Sequence, residues 1–224
     1  INFEKIKKNI LLGKFDYKKD SNFSIVSSKY SSKTIYLRNE VLLKFDQMYN
    51  AALKDGIKLV IISGTRSFNH QKYIWDRKWA KNIQKMDSIS AVKEIMKYSS
   101  MPSTSRHHWG TDIDLNNLEN SYFEIGEGKK IFDWLVENAF KYGFHMTYDN
   151  QEETKRTGYK MEKWHWSYMP ISEQFLIQFN EYINCENISS FKGSKFACHP
   201  KVDVIKNFVN GINTDFKKII NVTE

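Results

Sequence analysis

No run of apolar residues in these 224 positions approaches the roughly 20 that a bilayer-spanning helix requires, so the sequence offers no candidate membrane span. Proline is scarce (three) and glycine modest (ten), and nowhere do they gather into a linker. Internal repeats and low-complexity tracts are also missing. A chain of this length without such breaks is expected to form one domain over residues 1–224 with a sizeable core of its own. Cysteine is scarcer still: Cys185 and Cys198 are the only two. They either close a short loop as a disulfide in an oxidising compartment or remain two buried thiols, and their spacing does not choose. His199 follows Cys198, but one Cys-His pair without a partner motif is too little for a metal site. The sequence begins at Ile1 rather than at a methionine, so we expect an N-terminal piece to have been removed, a secretory signal being one option.

What is present excludes disorder, since 41% of residues are apolar and 15% aromatic. The 34 basic and 26 acidic residues give a net charge of +8, which raises the question of nucleic acid. The lysines are scattered, however, and no stretch interleaves arginine with aromatics as nucleic-acid modules do. A solvated basic surface, or one drawn to an anionic polymer, accounts for the charge, and no nucleic-acid partner is expected.

Apolar spacing predicts a helix over Asn39–Leu53 that stops at Asp55-Gly56, then a buried β-branched strand over Ile57–Ser63. Ser67 is the expected cap of a helix over 68–84, and Ser90–Tyr98 reads as another. "GTDIDL" (110–115) and "KWHWSYM" (163–169) read as strands. Lys129–Tyr142 is an amphipathic helix ending at Gly143, Gln151–Lys160 a polar, mobile loop, and Glu173–Ile183 a closing helix. One or two weak helices follow Cys198, making 185–224 a C-terminal extension to a core of about 11–184. Without regular βαβ alternation, the fold class is α+β: a small, mainly antiparallel sheet flanked by helices. Trp75, Trp79 and Trp134 fall on helix faces and read as core, and His70 and His145 as structural.

Three polar patches border strands. Ser63-Gly64-Thr65-Arg66-Ser67-Phe68-Asn69-His70-Gln71 lies where a strand turns into a helix. Ser105-Arg106-His107-His108-Trp109-Gly110-Thr111-Asp112-Ile113-Asp114 brings two histidines and two aspartates together, and Met161-Glu162-Lys163-Trp164-His165-Trp166 adds a glutamate and a histidine. On an extended strand Asp112 and Asp114 share one face while Ile113 and Leu115 take the other. Buried carboxylates need a partner, either a metal ion or an arginine. His107, in the preceding loop, can swing back towards Asp114. Glu162 and His165 would face opposite ways on a regular strand, so the backbone must turn there if both serve one site. Two His and one Asp leave the open coordination position of catalytic zinc, and a Glu just outside them can take a proton from water.

In this order the patches resemble the zinc D-Ala-D-Ala carboxypeptidases of the VanY type, in the wider group with lysostaphin-type peptidases and hedgehog signalling domains. The family pattern S-x-H-x-x-G-x-A-x-D is met by Ser105, His107, Gly110 and Asp114, and E-x-x-H-W by Glu162, His165 and Trp166. The upstream S-G-x-R-S-x-x-x-Q is met by Ser63, Gly64, Arg66, Ser67 and Gln71. The likeness runs from about Leu11 to Tyr168, including "LLGKFD", "QKYIWDRKW" and "GYKMEKWHWSY". It implies a hedgehog/DD-peptidase-like site in which His107, Asp114 and His165 hold one Zn2+ and Glu162 is the general base and then the acid. Arg66 would stabilise the oxyanion and hold substrate, and Gln71 and Ser105 would line the pocket for the terminal carboxylate. The implied reaction removes the terminal D-amino acid from peptidoglycan stem peptides, outside the cytoplasm, in a chain expected to be monomeric.

One position departs from the pattern: the family's small residue is Asp112 here. It could meet a substrate amine, pair with a nearby cation or sit behind the metal, and it is one of the substrate-binding candidates. The blander uses are an ion pair of Arg66 with Asp112 or Asp114, and cap or surface roles for Gln71 and Ser105. His108 is expected not to ligate metal but to touch substrate or nothing, and Trp109, Trp164 and Trp166 to pack and keep the site dry. Competing functions are an L,D-carboxypeptidase, a D,D-dipeptidase, an endolysin-like peptidase, a non-catalytic zinc-bound peptide-binding module, and an Fe(II) oxygenase with a 2-His-1-carboxylate site. Glu162 speaks against the binding module, and the motif spacing against the oxygenase.

Overall fold

The computed structural model describes residues 4–215. After a single helical turn, α1 (Lys8–Leu11), a short hairpin pairs β1 (Phe23–Ile25) with β2 (Tyr36–Arg38) and leads directly into α2 (Asn39–Lys54). Val41, Phe45, Met48, Tyr49 and Ala52 fall along one stripe of α2 and are all buried, as the 3.6-residue period requires. Gly56 (φ +76°) then turns the chain in a left-handed conformation open to glycine. The strand that follows, β3 (Ile61–Ser63), is shorter than the expected 57–63. Ile57 and Leu59 are buried all the same, but as part of an irregular approach to the sheet.

α3 (Phe68–Asn82) is capped as expected, Ser67 Oγ accepting from the His70 backbone N–H. α4 (Ser88–Ile95) begins two residues before the expected Ser90, because Asp87 is the cap and accepts from the Ile89 and Ser90 N–H groups. β4 (Asp112–Leu115) precedes α5 (Gly126–Asn138), which continues as a 3-10 turn to Tyr142 and stops at Gly143 (φ +84°). β5 (Phe144–Met146), the short α6 (Gln151–Thr154), β6 (His165–Tyr168) and α7 (Met169–Tyr182) complete the core. α7 starts four residues before the expected Glu173, since Pro170 occupies the first turn, where its missing N–H costs nothing. Within the expected mobile loop, the Arg156 side chain is buried and donates to Asp149 Oδ1 (2.7 Å) and Asp149 O (2.7 Å), which ties the segment down.

The main sheet has the order β3-β4-β6-β5 with every pairing antiparallel, so the α+β expectation holds. Asp112 pairs with Ser167, Ile113 with Trp166 and Asp114 with His165. Ile113, Leu115, Trp166 and Tyr168 point into the main apolar cluster, with Phe45, Met48, Leu135 and Phe144. Asp112, Asp114, His165 and Ser167 therefore share the opposite face. A second cluster packs α3 and α4 against the C-terminal segment through Trp75, Val92, Ile95, Phe191 and Val202, with Trp79 half-buried at its rim. Cys185 and Cys198 are joined as a disulfide, which decides between the two alternatives left open above. The expected weak helices after Cys198 reduce, among the described residues, to a π-helical turn at Ile205–Val209. Positions 216–224 of that expectation lie outside the described residues. No described helix is long and apolar enough to cross a membrane.

Candidate active site

Two loops and one strand pair build the site. Between β3 and α3 runs the Gly64–Ser67 loop, and before β4 runs a 3-10 turn, Arg106–Trp109, ending at Gly110 (φ +73°). A Cβ at Gly110 would lie 2.3 Å from the Phe23 ring, so this position needs glycine for its φ and for its space. The two loops are stitched three times. His107 Nδ1–H donates to Gly64 O (2.8 Å), the Arg66 N–H to His107 O (3.1 Å), and His108 Nδ1–H to Arg66 O (2.7 Å). His108 is wholly buried, and its Nε2 accepts from the Ser103 N–H (3.1 Å). Both its nitrogens are thus committed to backbone, so it is a structural clamp and meets no substrate. Burial holds it neutral, lowering its pKa to about 3.

With His107 Nδ1 engaged, Nε2 turns inwards and lies 3.3 Å from Asp114 Oδ2. His165, opposite Asp114 across the strand pair, extends Nδ1 to Asp114 Oδ1 (3.1 Å) and Nε2 to Asp112 Oδ2 (2.9 Å). One ligand atom each from His107, Asp114 and His165 falls within 4.8 Å of the others, and all three residues are buried. Tetrahedral ligands at about 2.0–2.2 Å from zinc lie about 3.3–3.6 Å apart, and the two histidine–Asp114 contacts, 3.3 and 3.1 Å, are close to that spacing. The donor set fits as well: two neutral imidazole nitrogens and one carboxylate is a hydrolytic zinc set. The turn anticipated before β6 is closed by the His165 N–H donating to Glu162 O (3.1 Å), and it brings Glu162 Oε2 to 3.6 Å from His165 Nδ1.

The electrostatics follow from burial and mutual contact. Burial raises Glu162 to about 8, with Asp114 pushing the same way against His165, Arg66 and Lys78. Burial alone would lower His165, but the two aspartates outweigh it and lift the imidazole to about 9. Burial would raise Asp114, yet the two histidines hold it well below the usual carboxylate range. In the same way Arg106 and His165 overcome burial and hold Asp112 low.

A cleft of about 950 Å³ opens over these groups, lined by Arg66, Lys78, Ser99, Ser105, His107, Asp114, Tyr148, Glu162 and His165 among others. Arg66 Nη2 donates to Asp114 Oδ2 (3.1 Å), one of the blander uses considered for it, while its Nε is buried with no hydrogen-bond partner. Gln71 is not on the cleft wall. It is 1% exposed, accepts from Arg66 Nη1 (3.0 Å) and donates to Ser100 O (2.8 Å), so it holds the arginine rather than a substrate. Asp112 is also absent from the wall, at 0% exposure, and its proposed substrate contact is corrected: its four acceptor sites are all taken within the protein. Ser105 remains on the wall. Trp109 and Trp164 are buried and Trp166 lies in the core face.

Two cleft residues escaped the sequence reading. Lys78 lies half-buried on α3, its Nζ donating to Ser99 Oγ, and burial lowers its pKa. It follows Gln71 and Trp75 at i+7 and i+3, a helical spacing that would have turned it inwards with them. Arg106, between two motif residues, is the buried cation that an acid at position 112 demands.

The family profile described as "VanY: D-alanyl-D-alanine carboxypeptidase" matches residues 34–171. "Putative carboxypeptidase YodJ" of Bacillus subtilis is 33% identical over 153 residues, 65% of this chain and 51% of the relative. A D-alanyl-D-alanine carboxypeptidase of Enterococcus faecalis is 30% identical over 147 residues, 62% of this chain and 52% of the relative. The chain thus spans about half the length of the curated relatives it matches. Among solved structures, the LdcB LD-carboxypeptidase superposes with a TM-score of 0.56 at 26% identity, covering 75% of this chain and 76% of that one. A zinc(II) complex of a VanY D,D-pentapeptidase variant from a VanB-type resistance cassette superposes with a TM-score of 0.52 at 25% identity, covering 72% and 94%.

Proposed function

The chain belongs to the VanY family of D-alanyl-D-alanine carboxypeptidases, and from that premise we propose that it removes the terminal D-alanine from peptidoglycan stem peptides with one zinc ion held by His107, Asp114 and His165. The convergence of those three ligand atoms within 4.8 Å, with the Glu162 carboxylate beside them, carries the reading. Zinc bound there supplies a Lewis acid for the scissile carbonyl and a water whose pKa falls from roughly 15.7 to about 7.

The rest of the chemistry belongs to the chain. Glu162, with a proton affinity raised by burial, takes the proton from the attacking water and returns it to the leaving amine nitrogen as the C–N bond breaks. Arg66, on the cleft wall, offers the guanidinium donors not held by Gln71 and Asp114 to the oxyanion that develops on the carbonyl oxygen. Gln71 and the His108 clamp keep that guanidinium in place. Lys78 and Ser99, with Ser105 across the cleft, receive the free carboxylate of the terminal residue. Tyr148 packs its ring 4.8 Å from that of His165, which would help hold this imidazole in place as a metal ligand. The disulfide supports action in an oxidising compartment outside the cytoplasm.

The test is to incubate zinc-loaded protein with tetra-, penta- and crosslinked stem peptides and identify products by mass spectrometry. Loss of one D-alanine from the pentapeptide is expected, and loss of nothing from any of the three overturns the reading. The likeness to the LdcB LD-carboxypeptidase favours a second reading, cleavage after the L-centre of the tetrapeptide, which the tetrapeptide arm decides.

A further inference from the structure

Asp112 stands where the family pattern has a small residue, and its surroundings are specific. Oδ2 accepts from Arg106 Nε (2.9 Å) and from His165 Nε2 (2.9 Å). Oδ1 accepts from Thr111 Oγ1 (2.6 Å) and from Ser167 Oγ (2.8 Å). A carboxylate has about four acceptor positions, so none remains for substrate or metal. Arg106 is 2% exposed, donates from Nη2 to Ser167 Oγ (2.7 Å), and lies with Cζ 4.9 Å above the Trp109 ring. The acid and the arginine are thus a matched buried pair, and Ser167 bridges them.

We propose that Asp112 is a positioning residue for the zinc site, fixing the His165 ring and its tautomer, with Arg106 as its obligatory counter-charge. By holding the proton on Nε2, Asp112 makes Nδ1, aimed at Asp114, the nitrogen that gives up its proton to a metal. A carboxylate behind a ligating imidazole also strengthens it as a donor, and losing such a partner typically costs roughly 10–100-fold in metal affinity. Arg106 cancels the added negative charge, so the acid alters the histidine without altering the net charge around the metal. The pair explains how this chain departs from the family pattern at position 112: the second residue of S-x-H, unconstrained in the pattern, is here the cation that makes an acid at 112 tenable.

This rests on the zinc reading above, and wild-type protein separates the two. Zinc affinity is measured by competition with a chromophoric chelator on wild type, Asp112→Asn, and the double variant Arg106→Met with Asp112→Ala, each with its thermal unfolding recorded. Wild type binding no zinc at any concentration would sink the zinc reading itself. If wild type binds one zinc, the double variant, which leaves no buried charge unpaired, is expected to bind about 10–100-fold more weakly, with turnover recovering at saturating zinc. Should the double variant not fold, Asp112→Asn, which preserves shape but not charge, is expected to weaken zinc about tenfold. Zinc affinity equal to wild type in whichever folded variant is measured overturns the assignment of Asp112.

Discussion

The two faces of the β4–β6 pair differ more than any other two regions of the molecule. On one side Ile113, Leu115, Trp166 and Tyr168 are held mainly by apolar contact, in a cluster with Phe45, Met48 and Phe144, with only the ring termini of Trp166 and Tyr168 donating hydrogen bonds, to Lys163 O and Glu40. On the other, Asp112, Asp114, His165 and Ser167 are equally buried yet held by charge and hydrogen bonds, each group depending on named partners. An apolar face answers to volume, so similar shapes substitute for one another. A buried polar face answers to pairing, so one lost partner strands another. The fold is secured by the first and the chemistry is carried by the second, eight residues of the same two strands alternating between them.

The comparison breaks most visibly at the polar edge. Glu162→Gln is expected to cut D-alanine release by roughly 10²–10⁴-fold while zinc content and unfolding temperature stay at wild-type levels; full activity would remove Glu162 from the mechanism. On the apolar face Ile113→Ala should cost about 2–5 kcal/mol of stability in urea titration, with turnover per folded molecule within a few-fold of wild type. If turnover fell as far as in Glu162→Gln, the two faces would not be separable. Farther out, replacing Cys185 and Cys198 with alanine opens a loop spanning 13 positions, and about 3 kcal/mol should be lost in thermal or chemical unfolding. Lys78→Met sharpens the polar side: KM should rise about tenfold, in line with loss of a charged hydrogen bond, with kcat less affected, and an amidated peptide should not distinguish it from wild type. The smallest effect belongs to neither face. The exposed Lys130–Glu127 pair should contribute well under about 1 kcal/mol, so Lys130→Ala should barely move the unfolding midpoint.

Much of this was legible in the sequence, for physical reasons. The stripe of α2, the Ser67 cap and the Gly143 stop are local signals, and each is met. Period-2 alternation put Asp112 and Asp114 on one face, and the structure adds that His165 spans both because it is the cross-strand partner of Asp114. What escaped depended on contacts between distant segments. The role of Gln71 reversed, from cleft wall to brace, because Arg66 lies between it and the cavity. The motif makes His108 either a bystander or a substrate contact, because only the fold brings the Arg66 and Ser103 backbones to its two nitrogens. The α7 start and the Asp87 cap were missed for a simpler reason: Pro170 and Asp87 are themselves the boundary signals, and apolar spacing alone does not register them.

The three stitches between the Gly64–Ser67 loop and the Arg106–Trp109 turn have a consequence for portability. Because the Arg66 N–H donates to His107 O while His107 and His108 donate to Gly64 O and Arg66 O, metal ligand and oxyanion donor form one cassette drawn from two stretches some forty positions apart. An engineer grafting the histidine motif into another scaffold would therefore import a metal binder without its arginine, unless the earlier loop travelled with it. By the same token the two stretches constrain each other's drift: a change that shifts one loop is tolerated only when the other follows.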